Sequence, residues 1–171
     1  MDLEQIETFH SDGVFLAIRS RKEVHQLGLW HRGVHVFLFD KQGRLLVQKR
    51  GPGCDTFANA YDCSMSEHLS VGESFKHAAV RGCREELGVT DIPFEKLIAY
   101  KMAYGPTDNM ICELYSGSVE TNLIHFNKDE VASIDFIFIE DLLKMLNANP
   151  LQFTSWFKEQ LLWFSKLPNK L

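Results

Sequence analysis

A chain of 171 residues has room for one domain built on a single hydrophobic core, so we expect one domain over residues 1–171. Hydrophobic residues make up 45% of the chain and charged residues 24%, a composition that excludes a disordered or fibrous protein. The formal net charge of −5 argues against sequence-independent binding to nucleic acid, which needs a broad cationic surface. A small anionic substrate is compatible with that charge, because a bound divalent metal can supply the local positive charge.

Runs of β-branched and aromatic residues predict strands, and a four-residue spacing of apolar side chains predicts helices. In chain order, the pattern predicts strands at 13–18, 34–39 and 45–48, a turn at 40–43 that joins the last two, and a loop over 51–64. A helix follows between the N-cap Ser74 and Gly88. The remaining elements are strands at 96–103, 111–119 and 134–139 and helices at 139–147 and 153–166. Helices interleaved with a mixed sheet indicate an α/β or α+β sandwich.

The cysteines and the N-terminus indicate where the protein works. Four cysteines form no C-x-x-C pair, and their spacing fits neither a zinc site nor a dense disulfide framework. Free thiols in a reducing compartment are therefore expected. The sequence has neither a signal-peptide pattern nor an apolar run of the roughly 20 residues that span a bilayer. We expect a cytoplasmic protein without a membrane partner, and a homodimer is left open.

The segment from Glu67 to Val89 carries the residues that point to chemistry. Glu85 and Glu86 are adjacent near the end of the predicted helix, and Arg81 lies four residues before the first of them. A few carboxylates together with substrate phosphate oxygens suit Mg²⁺, which wants oxygen ligands and keeps several waters. Arg81 can hold a carboxylate in place by a charge-assisted hydrogen bond. A solvated helix face with an ordinary Arg–Glu pair is the alternative.

The register of this segment resembles the Nudix box, G-x5-E-x7-R-E-U-x-E-E-x-G-U, where U is a bulky aliphatic residue. The matching positions are Glu73, Arg81, Glu85, Glu86, Gly88 and Val89, with Cys83 at the first U. The resemblance implies a Nudix fold, which is an α/β/α sandwich with a mixed sheet. It also implies a Mg²⁺-dependent enzyme, with Mn²⁺ as the alternative ion, in which the metal neutralises a diphosphate and lowers the pKa of an attacking water.

Two positions depart from the box. Its opening Gly is Glu67 here, and the Glu after its Arg is Gly82. Glycine inside a helix costs roughly 1 kcal/mol relative to alanine, which asks for a local reason. The missing side chain at Gly82 opens space beside the predicted metal, so we hypothesise a compensating exchange in which Glu67 places its carboxylate there. The alternative is an exposed Glu67 and a weaker site.

The similarity extends over residues 25–160 to isopentenyl diphosphate isomerases, which share the Nudix fold. It is carried by residues 28–40, 81–88, 127–131 and 153–157. His31 and His68 fall on two of the metal-histidine positions of the isomerases, and His25 is near a third. Ser66 stands at the position of the isomerase cysteine, although a hydroxyl is a far poorer proton donor than a thiol of pKa about 8.5. The strand at 108–112 lacks the Glu-x-Glu pair of the isomerases and offers only Asp108 and the more distant Glu113. This balance favours hydrolysis.

Residues outside the box could complete the site. Lys49 and Arg50 end the second hairpin strand, where the Nudix family often contacts substrate, or they simply lie in solvent. Glu130 could be the general base that Nudix enzymes commonly draw from outside the box, or a solvated loop acid. Several aromatic residues towards the C-terminus are expected in the core rather than stacked on a base. They are Tyr100, Tyr104, Trp156, Phe157 and Trp163.

The predicted function is metal-dependent hydrolysis of a phosphoanhydride bond in a small diphosphate-linked substrate, with a nucleoside-derived group as the favoured linked moiety and the leaving group left open. The predicted catalytic residues are Glu85, Glu67 and Glu130, and the predicted metal ligands are Glu86, Glu85, Glu73 and His68. The predicted substrate contacts are Lys49, Arg50 and His31, and structural roles are predicted for Arg81, Gly82 and Gly88. The alternatives are an isoprenoid-diphosphate isomerase without its usual cysteine and a catalytically weakened diphosphate-binding module.

Overall fold

A computed structural model describes residues 4–105 and 107–168 of the chain. Its strands are β1 (Gln5–Phe9), β2 (Phe15–Ser20), β3 (Trp30–Phe39), β4 (Leu45–Arg50), β5 (Tyr61–Asp62), β6 (Met65–His68), β7 (Glu95–Gly105), β8 (Asp108–Ser118) and β9 (Val131–Ile137). Its helices are α1 (Arg21–Leu27), α2 (Phe75–Leu87), α3 (Ile139–Ala148) and α4 (Ser155–Phe164), with short 3-10 turns at Thr121–Leu123 and Pro150–Gln152.

The strands form a single mixed sheet in which β3 is the central strand. β3 pairs in parallel with β8 from Trp30↔Asn109 to Phe39↔Ser118. On its other edge it pairs antiparallel with β6, where Val34 lies opposite Glu67. β4 continues the sheet through β5 and β9. This pairing brings the predicted box residues of β6 directly beside the buried centre of the sheet.

Helices cover both faces of the sheet, which confirms the predicted sandwich. Alternate side chains of β3 point to opposite faces, because successive residues of a strand do so. Val34, Val36 and Leu38 pack with α2 in one apolar cluster. Phe37 packs with α3 and α4 in the other, where Phe157 is fully buried, as predicted. The sheet that carries the box residues of β6 therefore lies between two hydrophobic cores.

The helix predicted between Ser74 and Gly88 is confirmed together with both of its caps. The Ser74 side chain accepts a hydrogen bond from the His77 backbone N–H. Gly88 ends the helix in the left-handed region with φ +69°, and its N–H bonds back to Arg84 and Cys83 carbonyls. A Cβ at Gly88 would also lie 2.8 Å from the His125 carbonyl oxygen, so the predicted structural role of this glycine has a clear steric basis.

Some elements were not predicted. The loop predicted over 51–64 is wrong at its end, where Tyr61 and Asp62 form β5. Strand β1 and helix α1 were missed, although Ser20 and Glu23 form a capping box that begins α1. Strand β6, which carries Glu67 and His68, was not predicted either. All four cysteines are free thiols. Among the helices of the described residues, none is long and apolar enough to cross a bilayer.

Candidate active site

A pocket of about 730 Å³ opens between α1, α2, the loop after β4 and the loop before β9. Side chains of three kinds line it: carboxylates, histidines with arginines, and apolar aromatic residues. Its volume lies in the range of small-molecule sites, and convergent polar groups in such a pocket are the usual mark of a binding site.

Three carboxylates meet in the pocket. Oxygens of Glu67, Glu86 and Glu130 all lie within 4.8 Å of one another, although these residues come from β6, α2 and the loop before β9. Glu86 is buried, and the Gln48 side-chain amide donates a 2.8 Å hydrogen bond to it. Burial and the neighbouring Glu67 carboxylate raise the pKa of Glu86 well above its usual value. A divalent cation between these groups would offset their mutual repulsion, so the donor set fits Mg²⁺.

The packing around Gly82 explains why a helix interior contains glycine. A Cβ added at this position would lie 2.5 Å from Met65 Sδ and 2.9 Å from Glu67 Cγ. Ordinary contacts of a Cβ are 3.4–4 Å, so the side chains from β6 occupy the room that a residue at position 82 would need. This geometry supports the hypothesised exchange, because the Glu67 carboxylate reaches the carboxylate cluster through the space that Gly82 leaves.

Arg81 connects the box carboxylates to one another. Its Nε and Nη2 pair with the two oxygens of Glu73 at 3.0 and 3.1 Å, and its Nη2 also donates to the His68 carbonyl at 2.9 Å. Its Nη1 lies 3.2 Å from Glu85 and 3.4 Å from Glu67. These partners raise the pKa of Arg81 further above its usual value, with the Glu73 hydrogen bond as the largest cause. The predicted structural role of Arg81 is thus supported by its contacts.

Glu73 and Glu85 lie outside the carboxylate cluster. Glu73 accepts the Ser70 N–H at 2.9 Å in addition to its pair with Arg81, which fixes the turn before α2. The Glu85 side chain is 46% exposed and faces Arg81. The metal role predicted for both residues remains a prediction, while the described geometry gives them positions around Arg81. Glu86 is the box carboxylate that points into the pocket.

A second cluster contains three histidines. Ring nitrogens of His25, His31 and His68, from α1, β3 and β6, lie within 4.8 Å of one another. The ring centroids are 4.9 to 5.3 Å apart. Asp108 at the start of β8 places Oδ1 3.8 Å from His31 Nε2. The structure therefore brings together the histidines that the isomerase resemblance indicated.

The protonation of His25 and His31 suits a metal. Burial lowers the pKa of His31 to about 3 and also lowers that of His25, so both rings are neutral at physiological pH. His31 Nδ1 lies 3.0 Å from the Leu29 carbonyl, which assigns the proton to Nδ1 and leaves Nε2 as a lone pair. Nε2 of His25, Nε2 of His31 and Oδ1 of Asp108 are buried without a hydrogen-bond partner in the described residues. Imidazole with carboxylate suits Zn²⁺, Mn²⁺ or a similar ion.

Aromatic residues form the apolar side of the pocket. Trp156 contacts Phe57 edge-on, with ring centroids 5.2 Å apart, and Tyr104 at 6.2 Å. Trp156 is only 7% exposed, in agreement with the predicted core position, but the small exposed part lines the pocket, as does Tyr104. Met110 of β8 completes this apolar side. An apolar organic group of a substrate would find its contacts here.

Arg50 lines the pocket, whereas Lys49 points away towards the Tyr61 ring, 5.6 Å from its centroid. Arg50 pairs with Asp62 at 3.2 Å, and Asp62 has no exposed surface. The sequence interpretation missed Asp62, because it lies in the stretch predicted as loop and nothing in its local pattern marks it. Ser66, at the isomerase cysteine position, also lines the pocket.

Comparison with known proteins identifies the family. Residues 29–157 match the model of the NUDIX domain. An uncharacterized Nudix hydrolase of Clostridium acetobutylicum is 32% identical over 157 residues, covering 86% of this chain and 76% of the relative. An isopentenyl-diphosphate Delta-isomerase of Klebsiella pneumoniae is 32% identical over 131 residues, covering 74% and 71%. A prenyl-diphosphate phosphatase of Methanosarcina mazei is 30% identical over 157 residues, covering 88% and 89%.

The fold comparison agrees with these relatives. A solved structure of a Deinococcus radiodurans protein superimposes with a TM-score of 0.75 at 23% identity, covering 85% of this chain and 90% of that one. The family model spans most of the chain, and named relatives include both hydrolases and isomerases. The chain belongs to the Nudix family, in the branch that resembles isopentenyl-diphosphate isomerases.

Proposed function

We propose that this protein hydrolyses the phosphoanhydride bond of a diphosphate-linked substrate with a divalent metal held by Glu67 and Glu86 beside Glu130. The observation that carries the proposal is the approach of these three carboxylates to within 4.8 Å of one another in the pocket. Membership of the Nudix family supports diphosphate chemistry. Mg²⁺ is the proposed ion, since its ligands are oxygens and the cluster offers only oxygens.

Different residues would bind the metal and activate the water in this hydrolysis. A metal bound at the carboxylates would neutralise diphosphate charge and lower the pKa of a water. Glu86, fixed by Gln48, and Glu67, near Arg81, would hold the ion. Glu130 is exposed, and its Oε1 accepts the Asn127 amide at 3.0 Å. Its other oxygen is available to take the proton of the attacking water, so we assign the general base to Glu130.

The proposed substrate class is an isoprenoid diphosphate. The relative from Methanosarcina mazei is named for phosphatase activity on prenyl diphosphates, and the isomerase relatives are named for isopentenyl diphosphate. The apolar side of this pocket, with Phe57, Trp156 and Met110, suits a hydrocarbon group. Water would add to the terminal phosphorus, and the bridging oxygen would leave with the prenyl monophosphate. A nucleoside diphosphate-linked substrate, as predicted from the sequence, remains the competing substrate class.

Isomerisation is the second candidate, and the histidine cluster is the observation that favours it. Moving a double bond requires a proton donor and a proton acceptor at the hydrocarbon. Ser66 is a weak donor at neutral pH, and strand β8 lacks the Glu-x-Glu pair of the isomerases. We therefore rank it below hydrolysis. The histidine cluster, with Asp108, is proposed as a second metal site in the same pocket, which gives His31 and His68 a ligand role.

One substrate panel separates the candidates. The purified chain is assayed with Mg²⁺ or Mn²⁺ against prenyl diphosphates, nucleotide sugars, dinucleotides and nucleoside triphosphates, with Glu86→Gln as the inactive blank. Glu95→Gln, at an exposed position on β7, is the matched control. We expect phosphate release from a prenyl diphosphate that EDTA abolishes. Deuterium uptake into isopentenyl diphosphate without phosphate release would instead support isomerisation, and thermal stabilisation without turnover would support a binding module.

A further inference from the structure

Asp62 is a buried acid with an unusual set of partners. Its Oδ1 accepts hydrogen bonds from the Cys63 backbone N–H at 2.8 Å, the Thr154 hydroxyl at 3.1 Å and the Trp156 indole N–H at 2.6 Å. Its Oδ2 accepts from Arg50 Nη1 at 3.2 Å. Burial raises the pKa of this carboxyl, and Arg50 is the strongest of the contacts that oppose the shift. Both oxygens therefore accept hydrogen bonds from the surrounding donors.

Two of these partners form the wall of the pocket. Arg50 and Trp156 both line it, and the Arg50 guanidinium lies over the Trp156 ring at 5.7 Å from the centroid. The Nε of Arg50 donates to the Thr56 carbonyl at 3.1 Å, which fixes the plane of the guanidinium. Among the described residues, Nη2 has no protein acceptor. A planar guanidinium held in this way and open on one side suits a phosphate group.

We propose that Asp62 is a positioning residue that holds the Arg50 guanidinium against Trp156, ready to bind the diphosphate of the substrate. The inference rests on the proposed function, since it assigns Arg50 to the diphosphate. A neutral acceptor would be enough to bind Thr154 and Trp156, and burying a carboxylate is costly unless it is paired. The pairing with Arg50 is the contact that needs the negative charge.

A purely structural role of Asp62 is the competing explanation. Thr154 caps α4 and is itself bonded to Asp62, so the acid also anchors the start of that helix. The substitution Asp62→Asn separates the two roles. The asparagine carbonyl can still accept from Thr154 and Trp156, whereas its amide would face Arg50 donor to donor. The variant therefore releases Arg50 and keeps the helix anchor.

Affinity for a diphosphate measures the positioning directly. The probe is methylenediphosphonate, which cannot be hydrolysed at its bridge, titrated with Mg²⁺ present in a calorimeter. We expect the Kd of Asp62→Asn to rise about tenfold, the loss expected for a charge-assisted hydrogen bond. Arg50→Gln should weaken binding by a similar factor, and the double variant should be no weaker than Arg50→Gln alone.

A matched control is Asp40→Asn. Asp40 is another buried acid bonded to an arginine, Arg44, but it lies in the β3–β4 turn and does not line the pocket. Both Asp→Asn variants should lower the melting temperature, and only Asp62→Asn should change the Kd. An unchanged Kd in Asp62→Asn, or losses that add in the double variant, would overturn the proposal.

Turnover distinguishes this inference from the function on which it rests. With a prenyl diphosphate, Asp62→Asn should raise KM about tenfold and leave kcat within about twofold. If the wild-type chain releases no phosphate but the Kd values follow the prediction, the proposed function fails and the positioning role stands. If the wild type is active and Asp62→Asn matches it in Kd and KM, only the positioning role fails. Wild-type protein that neither binds methylenediphosphonate nor releases phosphate would overturn both.

Discussion

The space at Gly82 allows a direct test of the exchange between Glu67 and Gly82. Adding a side chain there brings a Cβ to 2.5 Å from Met65 Sδ and 2.9 Å from Glu67 Cγ, far inside ordinary contact. Gly82→Glu in the otherwise unchanged chain should therefore cost about 1–3 kcal/mol of unfolding free energy, as overpacked cores do. It should also lower activity, because Glu67 is displaced from the carboxylate cluster.

Glu67→Gly removes one carboxylate of the proposed metal site. We expect kcat/KM for the best substrate of the panel to fall at least about 100-fold, because loss of even a residue that supports a metal ligand costs up to about 100-fold. The double variant Glu67→Gly with Gly82→Glu removes the clash with Glu67 and supplies a carboxylate from the helix. The remaining clash is with the thioether of Met65, which is flexible and can move.

The double variant should recover at least about tenfold of the lost activity, which corresponds to about 1.4 kcal/mol of transition-state stabilisation. The assay is kcat/KM for phosphate release at saturating Mg²⁺, with unfolding measured in parallel. Glu67→Gly with Gly82→Ala is the matched control, since it fills the space without a carboxylate and should recover nothing. A double variant no more active than Glu67→Gly would refute the exchange.

Three further substitutions test other parts of the molecule. Asp40→Asn should lower the unfolding free energy by about 1–3 kcal/mol at pH 7. Burial raises the pKa of Asp40, but the hydrogen bonds from Arg44 and the turn outweigh burial and lower that pKa below its usual value. The difference in unfolding free energy, measured in urea, should therefore vanish as the pH falls below 3.8. Gly88→Ala should lower the unfolding free energy by at least about 1 kcal/mol, because φ is +69° there; an unchanged melting temperature would contradict this. His31→Gln should weaken Mn²⁺ binding, measured by calorimetry, at least about tenfold. His77→Gln, on the exposed side of α2, is the control and should leave Mn²⁺ binding unchanged. Equal effects of the two substitutions would contradict a metal site at the histidine cluster.

The local parts of the fold could be predicted because they have local causes. Ser74 begins α2 with a side chain that accepts a hydrogen bond from the backbone of the first turn, and Gly88 ends the helix with a positive φ. Both caps can be read from the identity of one residue. Helix α1 was missed because it has only seven residues and one buried side chain, Val24, which leaves no periodic pattern. Its capping box was the readable signal. Strand β5 has two residues, too few for any pattern.

The candidate site could be predicted in its components but not in its arrangement. The periodicity of α2 already places Glu86 on the inward face of the helix, unlike Glu85. Glu86 lies three residues after buried Cys83 and four after Gly82, and residues at these spacings share one face. Glu130 joins the cluster only through the tertiary fold. Asp62 depends entirely on donors from distant parts of the chain, such as Trp156, and no local pattern could indicate it.

The central claim is that the carboxylate cluster performs metal-dependent hydrolysis of a diphosphate. The most direct measurement is phosphate release from a prenyl diphosphate by the wild type, Glu86→Gln and Glu67→Gln, each with Mg²⁺ and with EDTA. We predict Mg²⁺-dependent release by the wild type, lost in Glu86→Gln and strongly reduced in Glu67→Gln. Release that persists in EDTA, or that is equal in all three proteins, would contradict the claim.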